Sequence, residues 1–191
     1  MRIIAGQFRG CRLLGPKGSE IRPTSDRARE ALFNVLEHGE PPVRGARFLD
    51  LFCGTGAVGL EACSRGAAEV VLVDADQLAL RLAKANIARL GSPANVKVMA
   101  GDAARLREPP GQFDLVFLDP PYRSGLAAPA LERLRHGWLA DDARLVVELA
   151  AREDLAVPET YQIEQERRYG AARFLFLRAA GSDDRPPARL I

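Results

Sequence analysis

Three cysteines in 191 residues, Cys11, Cys53 and Cys63, are too few for a disulfide framework. None forms a Cys-x-x-Cys pair, so a zinc site is not expected and a reducing, cytoplasmic setting is. Histidine is scarcer: only His38 and His136 are present, which leaves a His-based catalytic triad poorly supplied. His38 stands near the end of an expected helix and reads as a C-terminal capping charge. No uninterrupted apolar run is long enough to span a bilayer, and Met1-Arg2-Ile3-Ile4-Ala5-Gly6 turns polar too early for a secretory leader. Lysine is limited to Lys17, Lys84 and Lys97, so nearly all the positive charge is arginine and part of that bias is compositional.

What is there fits one ordinary domain. With 47% hydrophobic and 27% charged residues, the chain can bury a substantial core. The net charge of +2 conceals an asymmetry. Within residues 1–29, Arg2, Arg9, Arg12, Lys17, Arg22, Arg27 and Arg29 face only Glu20 and Asp26. A basic arm on a mildly acidic body implies a polyanionic partner touched at one end.

Residues 2–5 and 11–14 read as two short strands of a hairpin around Gly6–Gly10, studded with Arg2, Arg9 and Arg12. Arg22-Pro23-Thr24-Ser25-Asp26 signals a helix start, and Ala28, Ala31, Leu32, Val35 and Leu36 form its apolar face up to His38-Gly39. From Arg47 the pattern changes to alternation. Strands are expected at 47–52, 69–74, 96–100, 113–118 and 144–149, with helices at 56–64, after Asp76, and at 126–134. A short helical turn is expected at 102–107. The runs 161–168 and 173–178 flank Gly170 as a closing hairpin. The expected fold is an α/β doubly wound, mostly parallel sheet with an antiparallel edge strand. Residues 1–40 form an N-terminal hairpin-and-helix extension, 44–178 the main domain, and 179–191 a polar tail expected to be disordered.

Two stretches carry chemistry. In Asp50-Leu51-Phe52-Cys53-Gly54-Thr55-Gly56-Ala57-Val58-Gly59, the glycines satisfy G-x-G-x-x-G between a strand and a helix, and Asp74 follows at the tip of the next strand. The reading is a nucleoside-containing cofactor, with Asp74 accepting from ribose hydroxyls. Asp50 would repel a pyrophosphate but suits an ammonium. Asp102, in Gly101-Asp102-Ala103, ends the third strand and can accept from an adenine amino group. Three acids at successive strand ends favour S-adenosylmethionine over a dinucleotide. Cys53 reads as a small packing residue, with nothing nearby to lower its pKa.

The second stretch is Asp119-Pro120-Pro121-Tyr122. Prolines cannot extend a sheet ladder, so an acid and an aromatic ring are held on a stiff turn at a strand's carboxyl edge. An exocyclic amino group on a base is a poor nucleophile, because its lone pair is delocalised. The Asp119 side chain and the Pro120 carbonyl offer one acceptor for each N–H, and Tyr122 can stack on the base. Chemistry of this kind serves guanine, adenine or cytosine alike.

Asp119-Pro120-Pro121-Tyr122 and Asp50–Gly56 resemble the catalytic and cofactor motifs of class I amino-methyltransferases. Met1-Arg2-Ile3-Ile4-Ala5-Gly6, Arg22-Pro23-Thr24 and Arg29-Glu30-Ala31-Leu32-Phe33-Asn34 resemble the RsmD family, bacterial 16S ribosomal RNA guanine-N2 methyltransferases, over residues 1–178. The resemblance implies methyl transfer from S-adenosylmethionine to the 2-amino group of one guanine in an assembled or nearly assembled small ribosomal subunit. It implies that Arg22, Thr24, Phe52, Cys53, Gly54, Gly56 and Ala103 join Asp50, Asp74, Asp102 and Asp119 around the cofactor. It makes the hairpin, with Arg2, Arg9, Arg12 and Lys17, an RNA-docking element. A monomer is the simplest expectation. The alternatives are an adenine-N6 or cytosine-N4 methyltransferase on RNA or DNA, an NAD(P)-dependent oxidoreductase, and a non-catalytic RNA-binding module.

Overall fold

A computed structural model describes residues 1–15 and 26–179. Lys17, Arg22, Thr24, the expected helix-start signal before Asp26 and the tail from residue 180 lie outside the described residues.

Helix α1 (Asp26–Glu37) buries Ala28, Leu32, Phe33 and Leu36, the face its spacing predicts with Phe33 added. Strand β1 (Arg47–Leu51) leads into α2 (Ala57–Ser64), β2 (Glu69–Asp74), α3 (Gln77–Arg89) and β3 (Val96–Ala100). A 3-10 turn at Ala103–Arg105 precedes β4 (Phe113–Leu118), α4 (Ala127–Leu134), β5 (Leu139–Ala150), β6 (Tyr161–Tyr169) and β7 (Ala172–Ala179). Among the described residues, no helix is long and apolar enough to cross a membrane.

The seven strands form one sheet in the order β3-β2-β1-β4-β5-β7-β6. The first five are parallel, β7 runs antiparallel to β5, and β6 pairs outside β7. The chain winds outward from β1 to β3, then returns to place β4 on the other side of β1. The carboxyl ends of β1 and β4 therefore flank the point where the winding reverses, the favoured binding crevice of an open α/β sheet.

Successive residues of a strand point to opposite faces, and the two cores follow that period. Phe48, Val70, Leu72, Leu115, Phe117 and Val146 pack on one face with α1 and α2. Leu49, Leu51, Val71, Val73, Val116, Leu118 and Val147 pack on the other with α4 and Trp138.

Apart from shifts of a residue or two at other element ends, four details differ from the sequence expectation. Strand β1 ends at Leu51 because Phe52 adopts a left-handed φ of 59°, which no strand can continue. Helix α2 begins at Ala57, with Gly56 as a left-handed N-cap. Strand β5 starts five residues earlier than expected, at Leu139, where exposed Asp141 and Asp142 hide the apolar signal. The N-terminal hairpin is not two regular strands: its pairing is an isolated antiparallel bridge, Arg2 with Arg12.

The cause lies in α2. The Ile4 and Ala5 amides leave the hairpin ladder and donate to the carboxylate of Glu61, at 2.8 and 3.0 Å. Ser64 continues the attachment, accepting from Phe8 N–H at 3.0 Å, while its carbonyl accepts from Gln7 N–H at 2.8 Å. Gly6 crosses so close to Ser64 that a Cβ would meet its carbonyl oxygen at 1.8 Å. Ile3 and Leu13 pack with Ala57, Leu60 and Leu90. The basic hairpin is thus mounted rigidly on the helix that follows the glycine loop.

Candidate active site

One cleft of about 410 Å³ opens at the carboxyl edge of the sheet. Of the residues named from the sequence, Asp50, Phe52, Cys53, Gly54, Asp74, Asp119, Pro120, Pro121 and Tyr122 line it together. They come from β1, β2 and β4, elements that are adjacent in the sheet but far apart in the chain.

Asp50 sits in β1 with only 1% of its surface exposed. Its Oδ2 accepts from Gly59 N–H at 2.8 Å. That amide belongs to the first turn of α2, where backbone donors lack helical partners. Gly59 keeps the helix close: a Cβ there would lie 2.3 Å from Leu72 Cδ2. Burial pushes the Asp50 carboxyl up to about 8, against the Gly59 hydrogen bond that favours the charged form, with the Asp74 charge adding to the rise.

Asp74 is oriented by two backbone donors: Gly54 N–H to Oδ2 at 2.8 Å and Asp76 N–H to Oδ1 at 2.9 Å. The Gly54 bond fixes the tip of the glycine loop. Gly54 takes a φ of 53° and has open space where a Cβ would stand, so its backbone is exposed to a ligand. Gly56 does not line the cleft; its missing Cβ admits Leu72, at 2.9 Å. Asp102 and Ala103 also stand outside the lining. Asp102 Oδ1 accepts from Ala104 N–H at 2.9 Å and caps the 3-10 turn, and Ala103 is buried below it. Cys53 is buried beside Asp50 and Asp74; desolvation and then those charges push its thiol far up, which disfavours the nucleophilic thiolate.

Asp119 continues the β1–β4 ladder, donating its N–H to Leu51 carbonyl at 3.2 Å. Its carboxyl is raised well above the ordinary range, first by burial, then by the charges of Glu148 and Asp50. Glu148, in β5, is the site residue that the sequence reading misses. It is buried, lines the cleft, and accepts from the Tyr122 hydroxyl at 3.0 Å. A signal was there: Glu148 is the one acid in the apolar run Leu145–Leu149. Asp76, Thr55, Ala57, Val58, Ala79 and Phe117 complete the walls.

Five carboxyl groups line the cleft, and among the described residues no arginine, lysine or histidine does. Four of them, Asp74, Asp50, Asp119 and Glu148, lie on β2, β1, β4 and β5 or just beyond their ends, and these are neighbours in the sheet. Such a lining disfavours a pyrophosphate and fits a ligand with an ammonium and a sulfonium. Among the described residues no group of His, Cys, Asp and Glu is arranged to hold a metal ion.

On the outer face of the hairpin, Arg2, Arg9 and Arg12 are all exposed. Arg2 and Arg12 are direct cross-strand partners, and Arg2 has Asp26 at 3.7 Å.

The winding order and a carboxylate-lined cleft at the reversal point define a class I methyltransferase fold. The putative methyltransferase yhhF from Escherichia coli has the same fold, with a TM-score of 0.80, 36% identity, and coverage of 95% of this chain and 98% of that one. The family described as "Conserved hypothetical protein 95" matches residues 1–178. The Ribosomal RNA small subunit methyltransferase D of Escherichia coli K12 is 38% identical over 189 residues, 96% of this chain and 93% of that protein. Its namesake from Haemophilus influenzae is 34% identical over 179 residues, 91% of each. The chain belongs to this family, the RsmD family.

Proposed function

We propose that this protein methylates the exocyclic N2 of one guanine in 16S ribosomal RNA, acting on an assembled or nearly assembled small subunit, with S-adenosylmethionine as donor. The observation that carries the methyl-transfer part is the joint lining of one cleft by the glycine loop and the Asp119–Tyr122 turn, with carboxyl groups as the titratable side chains that converge on it among the described residues. The choice of ribosomal RNA and of guanine rests on kinship with proteins named for small-subunit rRNA methylation.

The donor, when bound, supplies an electrophilic methyl on a sulfonium. Asp50 and Asp74, already oriented by backbone amides, hold the ammonium and the ribose hydroxyls. Phe52, Cys53 and Gly54 form the wall beside them. Asp102 and Ala103, at the end of β3, flank the adenine end, and Arg22, Thr24 and Gly56 support the closure and shape of the site. Asp119 and the Pro120 carbonyl accept the two amino hydrogens, which turns the nitrogen lone pair toward the methyl. Forming the N–C bond would break the methyl–sulfur bond and leave the donor as a neutral thioether, and the nitrogen would have to lose a proton. Asp119, whose elevated pKa makes its ionised form a stronger base, receives it. Pro121 stiffens the turn and Tyr122 stacks on the base. Positioning of this kind can lower the barrier by about 7–11 kcal/mol. A paired target must first be unstacked or flipped.

Arg2, Arg9 and Arg12, with Lys17, contact RNA phosphates. Like charges placed directly opposite across a bridge repel, and a polyanion converts that repulsion into binding. The chain acts as a cytoplasmic monomer.

Incubating the protein with labelled donor and small subunits, then digesting the RNA to nucleosides, tests this reading. Label in N2-methylguanosine is expected. Label in N6-methyladenosine or N4-methylcytidine would overturn the choice of base.

A further inference from the structure

The loop after the catalytic turn lies at the surface. Residues 121–125 are all exposed, and Arg123 adopts a left-handed φ of 57°, a strained conformation for a residue with a side chain. Two hydrogen bonds reach this loop from the β5 side. Within the cleft, the Tyr122 hydroxyl donates to Glu148. Outside it, Arg123 N–H donates to Glu153 Oε1 at 2.8 Å.

Glu153 is well placed for this. Its Oε2 accepts from Ala150 N–H at 3.1 Å, and its own N–H donates to the Ala150 carbonyl at 3.0 Å, closing the turn that ends β5. Its carbonyl accepts from the Arg173 guanidinium, in β7. One carboxylate oxygen is thus committed to a fixed turn and the other to the residue after Tyr122. Strained backbone persists where the surroundings over-determine it, and the Glu153 carboxylate is one of the groups that hold Arg123 in place.

We propose that Glu153 is a positioning residue of the reaction: from outside the cleft it holds Arg123, and through it keeps the Tyr122 ring where the target base must lie. This rests on the reading of the cleft as a base-methylating site. Glu153 touches neither the base nor the donor, so its loss should leave donor affinity close to wild type.

Three variants test it. In Glu153→Ala the loop loses its outer tether. Turnover on small subunits should fall roughly tenfold to a hundredfold, the cost of misplacing a reacting group by about an ångström, with donor affinity unchanged. Trypsin should cut faster after Arg123, read by mass spectrometry of the fragments. Glu153→Gln keeps an oxygen for Arg123 N–H and should restore most of the turnover and the protection. Glu153→Asp, one methylene shorter, should keep the β5 turn but not reach Arg123, and should behave like the alanine variant even if that variant folds poorly. Normal turnover by Glu153→Ala and Glu153→Asp would overturn the proposal, as would equal loss in Glu153→Gln. If the wild-type chain methylated no RNA, the functional reading would fail. The cleavage comparison would still decide whether Glu153 holds the loop, and equal rates at Arg123 in all variants would reject it.

Discussion

The Tyr122 hydroxyl donates to Glu148 across 3.0 Å, so the ring that ends the catalytic turn is tied to the neighbouring strand of the sheet. The tie and the ring make separable contributions. Tyr122→Phe keeps the stacking surface and loses the tie. Tyr122→Ala loses both, and base stacking alone is worth roughly 1–3 kcal/mol. Steady-state kinetics on small subunits should therefore show a modest loss for phenylalanine and a loss about tenfold or more greater for alanine. Equal losses would mean that the ring does not stack.

Asp119→Ala should abolish methylation while calorimetry still detects donor binding, because Asp50, Asp74 and the glycine loop are intact in that variant. Turnover at the wild-type rate would reject Asp119 as the acceptor and base.

The buried acids predict a pH dependence of known sign. Asp50 titrates near 3.8 when exposed and is raised to about 8 in the fold, and Asp119 is raised in the same direction. Below about pH 4 both folded and unfolded chains hold the Asp50 proton. Between about 4 and 8 the unfolded chain has lost it and the folded chain has not, so the stability of the cofactor-free protein falls as pH rises through this window. A cationic donor favours ionised Asp50, so its binding releases a proton and tightens with pH up to about 8. Calorimetry in buffers of different ionisation heat measures that proton directly, and Asp50→Asn should reduce its release.

The hairpin prediction concerns salt. Replacing Arg9 and Arg12 with alanine should weaken RNA binding at low salt. It should also lower the slope of log affinity against log salt by about one for each phosphate that is no longer neutralised. An unchanged slope would remove the hairpin from the interface.

Glu61 mounts that hairpin. Its carboxylate, with no exposed surface, accepts from Ile4, Ala5 and the Arg65 guanidinium, and lies 3.7 Å from buried Arg29. Removing one member of a buried charged network typically costs about 3–5 kcal/mol, and urea unfolding of Glu61→Ala should show a loss of that size. A near-neutral result would mean that the hairpin holds on through its apolar packing alone.

The order of elements was legible because the central strands β2 and β4 are compact apolar runs closed by an acid, or by an acid and two prolines. β2, β3 and β4 begin and end where the residues place them. The cleft was legible in the same way: carboxylates at Asp50, Asp74 and Asp119 mark strand ends, and winding order brings those ends together. Glu148 escaped because its role comes from β5 lying next to β4, a pairing that local pattern does not state. The hairpin's true form escaped for a similar reason. Its donors turn to Glu61, whose position in the chain gives no hint of where its carboxylate points. The motif alone did not reveal that a Cβ at Gly56 or Gly59 would run into Leu72, so that helix-to-sheet packing also demands these glycines.

The most direct test of the central claim is the modified-nucleoside map of small-subunit RNA from cells lacking this protein, with the purified protein added back to those subunits. One guanine should lack its N2-methyl and regain it on adding wild-type protein with S-adenosylmethionine, but not on adding Asp119→Ala. An unaltered map, or restoration by Asp119→Ala, would contradict that claim.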